Sequence, residues 1–244
     1  MVVRVLVNGA HGKMGELAVK TLSNHADFAV VGALGKQDNL GAEISNTQAQ
    51  VVIDLTNAEV VFKNAQTIIE AGAHPVIGTS GLIKDQITAL QDRCAQLKLG
   101  GIIAPNFSLG AVLMMKQAQE IAKFFPHVEI IEMHHDGKLD SPSATAVYTA
   151  EMIATTKENL SVAKKKCREI IPGARGASYK DIPIHAIRLP GLIAHQQIIF
   201  GGSGETLTLR HDSIDRQCFM PGVVFACKKV RELKELIYGL EKIL

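Results

Sequence analysis

Between Glu132 and Thr145 the chain reads Glu-Met-His-His-Asp-Gly-Lys-Leu-Asp-Ser-Pro-Ser-Ala-Thr, its densest run of chemically competent side chains. His134 is of the residue type that exchanges protons near neutral pH, which suits a general acid or base. His135 follows at the end of an expected strand, and points to the opposite side if that strand persists. Lys138 adds an ammonium that can stabilise developing negative charge. Ser141 is a good N-cap and Pro142 a good first helical residue, so a helix is expected to start there. The N–H groups of Ser143, Ala144 and Thr145 would then be available to a carboxylate. An acid, paired histidines, an ammonium and a helix N-terminus describe a pocket for a small, multiply anionic molecule. Two blander readings compete. A histidine pair near a carboxylate can bind metal, but no third ligand is spaced to complete the set, and no metal is expected. The alternative of an exposed strand end with solvated charges stays open on spacing alone.

A second constellation lies at the N-terminus. Gly9-Ala10-His11-Gly12-Lys13-Met14-Gly15 stands between an apolar run and a helical segment, the setting of a dinucleotide-binding loop. The first glycine serves the turn, the middle one close approach of a pyrophosphate, and the last close helix–strand packing. The spacing is GxxGxxG rather than GxGxxG, and a glycine turn in another kind of α/β domain remains the competing reading. An acidic residue about twenty positions on would hold the ribose of NAD. That place is Leu34-Gly35-Lys36, without a carboxylate, whereas Lys36 and Lys13 could pair with a 2′-phosphate. NADPH is therefore favoured over NADH, with Asp38 able to restore NADH binding if the loop bends. Gly78-Thr79-Ser80-Gly81 and Ala104-Pro105-Asn106-Phe107 offer small and hydrogen-bonding residues at strand ends, where such sheets bind ligands. Each is equally compatible with a plain strand-to-helix turn.

The elements that must carry these loops follow a clear rhythm. Apolar runs at 2–7, 28–34, 51–55, 75–78 and 101–104 read as buried strands, and 16–22, 58–71 and 83–97 as helices. This alternation predicts an α/β fold, a Rossmann-type doubly wound parallel sheet. After Asn106 the order changes to a helix at 110–125, a strand at 127–133, a helix at 141–154 and several strands up to Arg210. That predicts a second, α+β domain. The last segment, 222–244, reads as helical and is expected to pack on the first domain. The expected division is 1–107 plus 216–244 for the dinucleotide and 108–215 for substrate and oligomerisation.

Composition narrows the functional class. A net charge of +2 with scattered Lys and Arg argues against nucleic acid as a partner. No apolar run approaches the length of a membrane span. No cleavable signal is expected, and Cys94, Cys167, Cys218 and Cys227 show no paired spacing, as in a reducing compartment. A cytoplasmic protein with a small-molecule partner is expected.

Taken together, Gly9–Gly15, Asp54-Leu-Thr56, Gly78–Gly81, Pro105-Asn-Phe-Ser108 and above all Glu132–Ser143 resemble the dihydrodipicolinate reductase family, nearly end to end. The resemblance implies NAD(P)H-dependent reduction of dihydrodipicolinate in lysine and diaminopimelate biosynthesis. It implies His134 as acid–base residue, Lys138 as a second proton donor, and His135, Ser143, Ala144, Thr145 and Arg216 around a dicarboxylate substrate. It further implies that Gly9 to Met14, Lys36, Gly78 to Ser80 and Ala104 to Phe107 hold the cofactor, and that the second domain builds a homotetramer. The family usually has Ala-Pro-Ser-Gly-Thr where this chain has Ser141-Pro-Ser-Ala144-Thr, an acidic residue at Gly35, and arginine at Lys13. The methyl of Ala144 stands where a carboxylate would approach the backbone. A reductase of another amino-acid intermediate and a nucleotide sensor without turnover are the competing functions.

Overall fold

The structure is a computed structural model that describes residues 2–157 and 168–244. The described chain forms two compact units, one of Met1–Leu109 with Arg216–Leu244 and one of Gly110–Asp215. Cys94, Cys218 and Cys227 are free thiols, and Cys167 lies outside the described residues.

The first unit alternates β1 (Val3–Asn8), α1 (Lys13–Ser23), β2 (Phe28–Leu34), α2 (Leu40–Thr47), β3 (Val51–Asp54), α3 (Val61–Glu70), β4 (His74–Ile77), α4 (Lys84–Leu97) and β5 (Gly101–Ile103). Its strands are all parallel, in the order β2-β1-β3-β4-β5. Successive strand residues face opposite ways, so both faces must be covered. Leu6, Val52, Ile77 and Ile103 pack on Ile44 of α2, Val61, Ala65 and Ile68 of α3, and Leu90 and Cys94 of α4. Val5, Val7, Ile53, Val76 and Ile102 are as fully buried on the opposite face, where α1 packs beside the later helix of this unit. This is the doubly wound sheet that the alternation predicts. The chain leaves β1 toward β2 on one side and returns to β3 on the other, opening a crevice between the carboxyl ends of β1 and β3.

The second unit runs α5 (Leu109–Ile121), β6 (His127–His134), α6 (Ala144–Lys157), β7 (Ala177–Tyr179), β8 (Ile182–Arg188), β9 (Ala194–Gly202) and β10 (Glu205–Ser213). Its mixed sheet has the order β10-β9-β6-β8-β7, with β6 parallel to β8 and antiparallel to β9. Val128 and Ile130 of β6, Ile182 and Ile184 of β8, and Ile198 and Phe200 of β9 pack against Met114 and Ala118 of α5 and Ala146, Ala150 and Ile153 of α6. The alanines let α6 lie close to the strand that carries the histidines.

Past Arg216 the chain re-enters the first unit as α7 (Met220–Lys229), followed by β11 (Leu236–Tyr238). The expectation of one helix from 222 to 244 is corrected here, because β11 adds to the sheet parallel to β5. Leu236 is buried, and a β-carbon on Gly101 would stand 2.3 Å from its Cδ1, so the bare glycine makes room for it. Burial at an open sheet edge outweighs the helical pattern of the segment. Helix α2, unassigned from sequence, is capped by Asn39, whose Oδ1 accepts from Ala42 N–H at 3.1 Å.

Candidate active site

In the first unit the glycine loop closes the end of β1. Gly9 has φ +84°, and its N–H and that of Ala10 both donate to the Leu34 carbonyl, at 3.0 and 2.9 Å. A β-carbon on Gly15 would stand 2.1 Å from the Gly9 carbonyl oxygen, so only glycine lets α1 start so near the strand. Gly12 has more room, with its nearest neighbour at 3.5 Å. His11, Lys13 and Lys36 are exposed around the loop. The turn after β2 does bend: Asp38 Oδ2 accepts from Gly35 N–H at 2.7 Å.

Beneath these loops lies a carboxylate that sequence reading left without a role. Asp54, fully buried at the end of β3, accepts from Asn8 Nδ2 at 2.9 Å, Asn64 Nδ2 at 2.8 Å, Thr56 Oγ1 at 2.7 Å and Thr79 Oγ1 at 2.6 Å. The same Thr79 hydroxyl accepts from Thr56 N–H at 2.8 Å. The ends of β1, β3 and β4 and helix α3 are thus tied to one group, and the hydroxyl of Thr79 faces inward. A β-carbon on Gly78 would stand 2.4 Å from the Phe107 ring, which brings the 78–81 and 104–107 loops together. Asn106 Oδ1 accepts from Ser108 N–H at 2.8 Å, while Ala104 and Phe107 are buried and Pro105 and Ser80 exposed. Bare glycine backbone at a helix start, at the crevice of a parallel sheet, fits a dinucleotide pyrophosphate.

In the second unit, Glu132 and His134 lie two residues apart on β6 and so share a face. Glu132 is fully buried, and His134 Nδ1 lies 2.6 Å from its Oε2. Arg188 at the end of β8 stands opposite His134 in the parallel register. Its Nη1 and Nη2 donate to Glu132 Oε2 and Oε1 at 2.9 and 2.7 Å. Burial opposes ionisation of Glu132, but the hydrogen bonds and charges of His134 and Arg188 outweigh it and hold the carboxyl below its ordinary range. The carboxylate is therefore an acceptor only, so Nδ1 of His134 carries a proton and donates it to this bond.

His135 lies just past β6 and its ring folds toward Gly137, 3.3 Å from where a β-carbon there would stand. Lys138 N–H donates to the His135 carbonyl at 3.2 Å, and its Nζ pairs with Asp140 Oδ1 at 2.6 Å. The start of α6 departs from expectation. Ser143, not Ser141, is the cap: its Oγ accepts from Ala146 N–H at 3.2 Å and its carbonyl from Val147 N–H at 3.0 Å. Ser143 N–H is taken by Glu132 Oε1 at 3.1 Å, so it is not available to a carboxylate. The buried acid competes successfully for a donor that the sequence pattern assigned to a ligand. Ala144 and Thr145 are the first two residues of α6. Arg216 stands exposed in the first unit, at the first residue of a single 3-10 turn. Among the described residues, no group of three His, Cys, Asp or Glu is placed to hold a metal ion.

The whole chain has counterparts among known proteins. Residues 3–107 match the family profile described as dihydrodipicolinate reductase, N-terminus, and residues 110–244 match dihydrodipicolinate reductase, C-terminus. The 4-hydroxy-tetrahydrodipicolinate reductase of Legionella pneumophila (strain Paris) is 57% identical over 241 residues, 99% of each chain. That of Coxiella burnetii (strain RSA 493 / Nine Mile phase I) is 52% identical over 244 residues, covering 100% of both. The dipicolinate-bound dihydrodipicolinate reductase from Paenisporosarcina sp. TG-14 superimposes with a TM-score of 0.91 at 46% identity, again over 100% of both chains. With both of its parts matched in order and more than half of its residues shared with relatives of equal length, this chain belongs to the dihydrodipicolinate reductase family of oxidoreductases.

Proposed function

We propose that the protein catalyses the NAD(P)H-dependent reduction of 4-hydroxy-tetrahydrodipicolinate (dihydrodipicolinate) to tetrahydrodipicolinate, in lysine and diaminopimelate biosynthesis. The observation that carries this reading is the gathering, in one unit, of His134 oriented by a buried carboxylate, the Lys138 ammonium and the N-terminus of α6. The nicotinamide, when bound, supplies a hydride to the conjugated imine. His134, with Nδ1 held by Glu132, first takes a proton on Nε2 and then delivers it to the electron pair that hydride addition creates. Lys138, released from Asp140, stabilises negative charge as it develops and serves as a second proton donor. His135 and the N–H groups of Ala144 and Thr145 bind the substrate carboxylates, while Ser143 shapes the helix start.

We assign the cofactor to Gly9, Ala10, His11, Gly12, Lys13, Met14 and Lys36, with Gly78, Thr79, Ser80, Ala104, Pro105, Asn106 and Phe107 about the nicotinamide end. Lys36 and Lys13 favour NADPH through its 2′-phosphate, and NADH remains usable. The first unit is the dinucleotide domain and the second the substrate domain, assembled into a cytoplasmic homotetramer through the sheet of the second.

The test follows the near-ultraviolet absorbance of NADPH, and separately NADH, with purified protein and substrate generated in place from pyruvate and aspartate semialdehyde by the preceding synthase. Substrate-dependent oxidation that His134→Gln reduces roughly 100-fold or more supports the assignment. Folded protein that binds NADPH but oxidises neither cofactor would overturn it.

A further inference from the structure

We propose that Arg188 is a positioning residue that couples the two proton-handling groups. This rests on the roles just given to His134 and Lys138. Arg188 directs all of its Nη hydrogens at fixed oxygens: both carboxylate oxygens of Glu132, the Ile187 carbonyl at 2.8 Å and the Asp140 carbonyl at 2.7 Å. Through Glu132 it acts on His134, whose Nδ1 shares that carboxylate. Through the Asp140 backbone it acts on the loop in which Asp140 Oδ1 holds Lys138 Nζ. One planar cation on β8 therefore fixes the imidazole from one side and the lysine loop from the other.

The geometry needs arginine. A guanidinium presents parallel N–H groups to both oxygens of a carboxylate, and here its Nη2 also reaches a carbonyl, which a single ammonium cannot reproduce. Glu132 is fully buried and spends its remaining capacity on Ser143 N–H. The same pair thus sets the direction of the histidine and the position of the first residue before α6. Arg188 touches neither His134 nor Lys138 in any of these bonds, so its effect passes through Glu132 and Asp140.

The test combines spectroscopy with kinetics on the full-length protein. In 15N-histidine-labelled protein, with the His134 signals identified by their loss in His134→Gln, we expect the neutral imidazole to carry its proton on Nδ1 and to leave Nε2 as the acceptor nitrogen. In Arg188→Lys we expect tautomer averaging and a kcat lower by roughly 10- to 100-fold, with KM for the cofactor unchanged. Because a lone buried charge can unfold the protein, the double variant Glu132→Gln with Arg188→Met removes both charges together, a change often tolerated in stability. A folded double variant with low kcat and averaged tautomers supports positioning. A wild-type Nε2–H tautomer overturns the proposal, and so does wild-type kcat in either Arg188 variant. The spectra require no substrate. A wild-type protein that shows the expected tautomer but does not turn over would count against the assigned reaction alone.

Discussion

The imidazole of His11 lies against Gly35: a β-carbon at residue 35 would stand 2.7 Å from His11 Cδ2 and 3.2 Å from Nε2. An acidic side chain cannot occupy that place while His11 does. The nearest carboxylate is instead that of Asp38, bound back to Gly35 N–H. Gly35→Glu alone should therefore weaken both cofactors. Combined with His11→Gly, it should shift the ratio of kcat/KM values toward NADH by about tenfold, or about 1.4 kcal/mol. Lys36→Ala should lower kcat/KM for NADPH by a similar factor and leave NADH nearly unchanged. Steady-state rates with both cofactors check these values.

Gly15 and Gly12 make a controlled pair. Gly15→Ala drives a methyl into the Gly9 carbonyl, whereas the nearest atom to a methyl at 12 is 3.5 Å away. The first should cost about 1–3 kcal/mol or more in urea unfolding and abolish measurable cofactor binding. The second should leave stability within about 1 kcal/mol. Equal losses at both positions would contradict the packing described for the loop.

Asp54→Ala leaves Asn8, Asn64 and the Thr79 hydroxyl facing a partner that is gone. Unpaired buried groups cost about 1–3 kcal/mol each, so a loss of roughly 3 kcal/mol or more is expected by denaturant titration. Cofactor affinity should fall with it, because the ends of β1 and β4 lose their common anchor. Asp54→Asn, which keeps a single acceptor oxygen, should fall between.

The paired state of Glu132 gives a pH dependence with a definite sign. Its carboxyl is held below its ordinary value of 4.5 in the folded protein, the hydrogen bonds of His134 and Arg188 outweighing burial. The unfolded chain then binds more protons in acid, and stability rises with pH. This contribution is fully present above about pH 4.5 and is lost as pH falls through the lower, folded value. The gap in urea midpoint between the protein and Glu132→Gln should accordingly narrow between about pH 6 and pH 3.5. A gap constant with pH would show that the carboxylate is not held ionised by the fold.

Five strands of the first sheet are readable to within a residue at each end, because strands buried on both faces write themselves as unbroken apolar runs, and Phe28–Leu34 coincides with β2 from end to end, whereas β11 carries a helical pattern. The polar, weakly patterned Leu40–Thr47 carries no such mark, and its helix depends on the Asn39 cap and on burying Ile44. The histidine segment announced its chemistry by composition. That Glu132 faces His134 follows from a spacing of two on a strand, a signal present but not used. Arg188 is another matter. It lies 56 residues beyond Glu132, and only the parallel register of β6 and β8 brings it there. A lone arginine ending an apolar strand was the available hint. The shifted start of α6 could not be read from local capping rules, since the deciding competitor for Ser143 N–H is a side chain on another element.

The pairing of β11 with β5 has a consequence for how the molecule is made. Leu236–Tyr238 seats beside Gly101–Ile103 only after the entire second unit has been synthesised. A ribosome therefore delivers the continuous middle unit before the last strand of the sheet that flanks it in sequence. Until then β5 is an open edge with unpaired backbone groups, the kind of surface that recruits other strands. The nascent first unit thus depends on its final residues to cover β5 and leave the three-residue β11 as the edge, and a chain stopped short of Leu236 would present β5 itself as a template for aggregation.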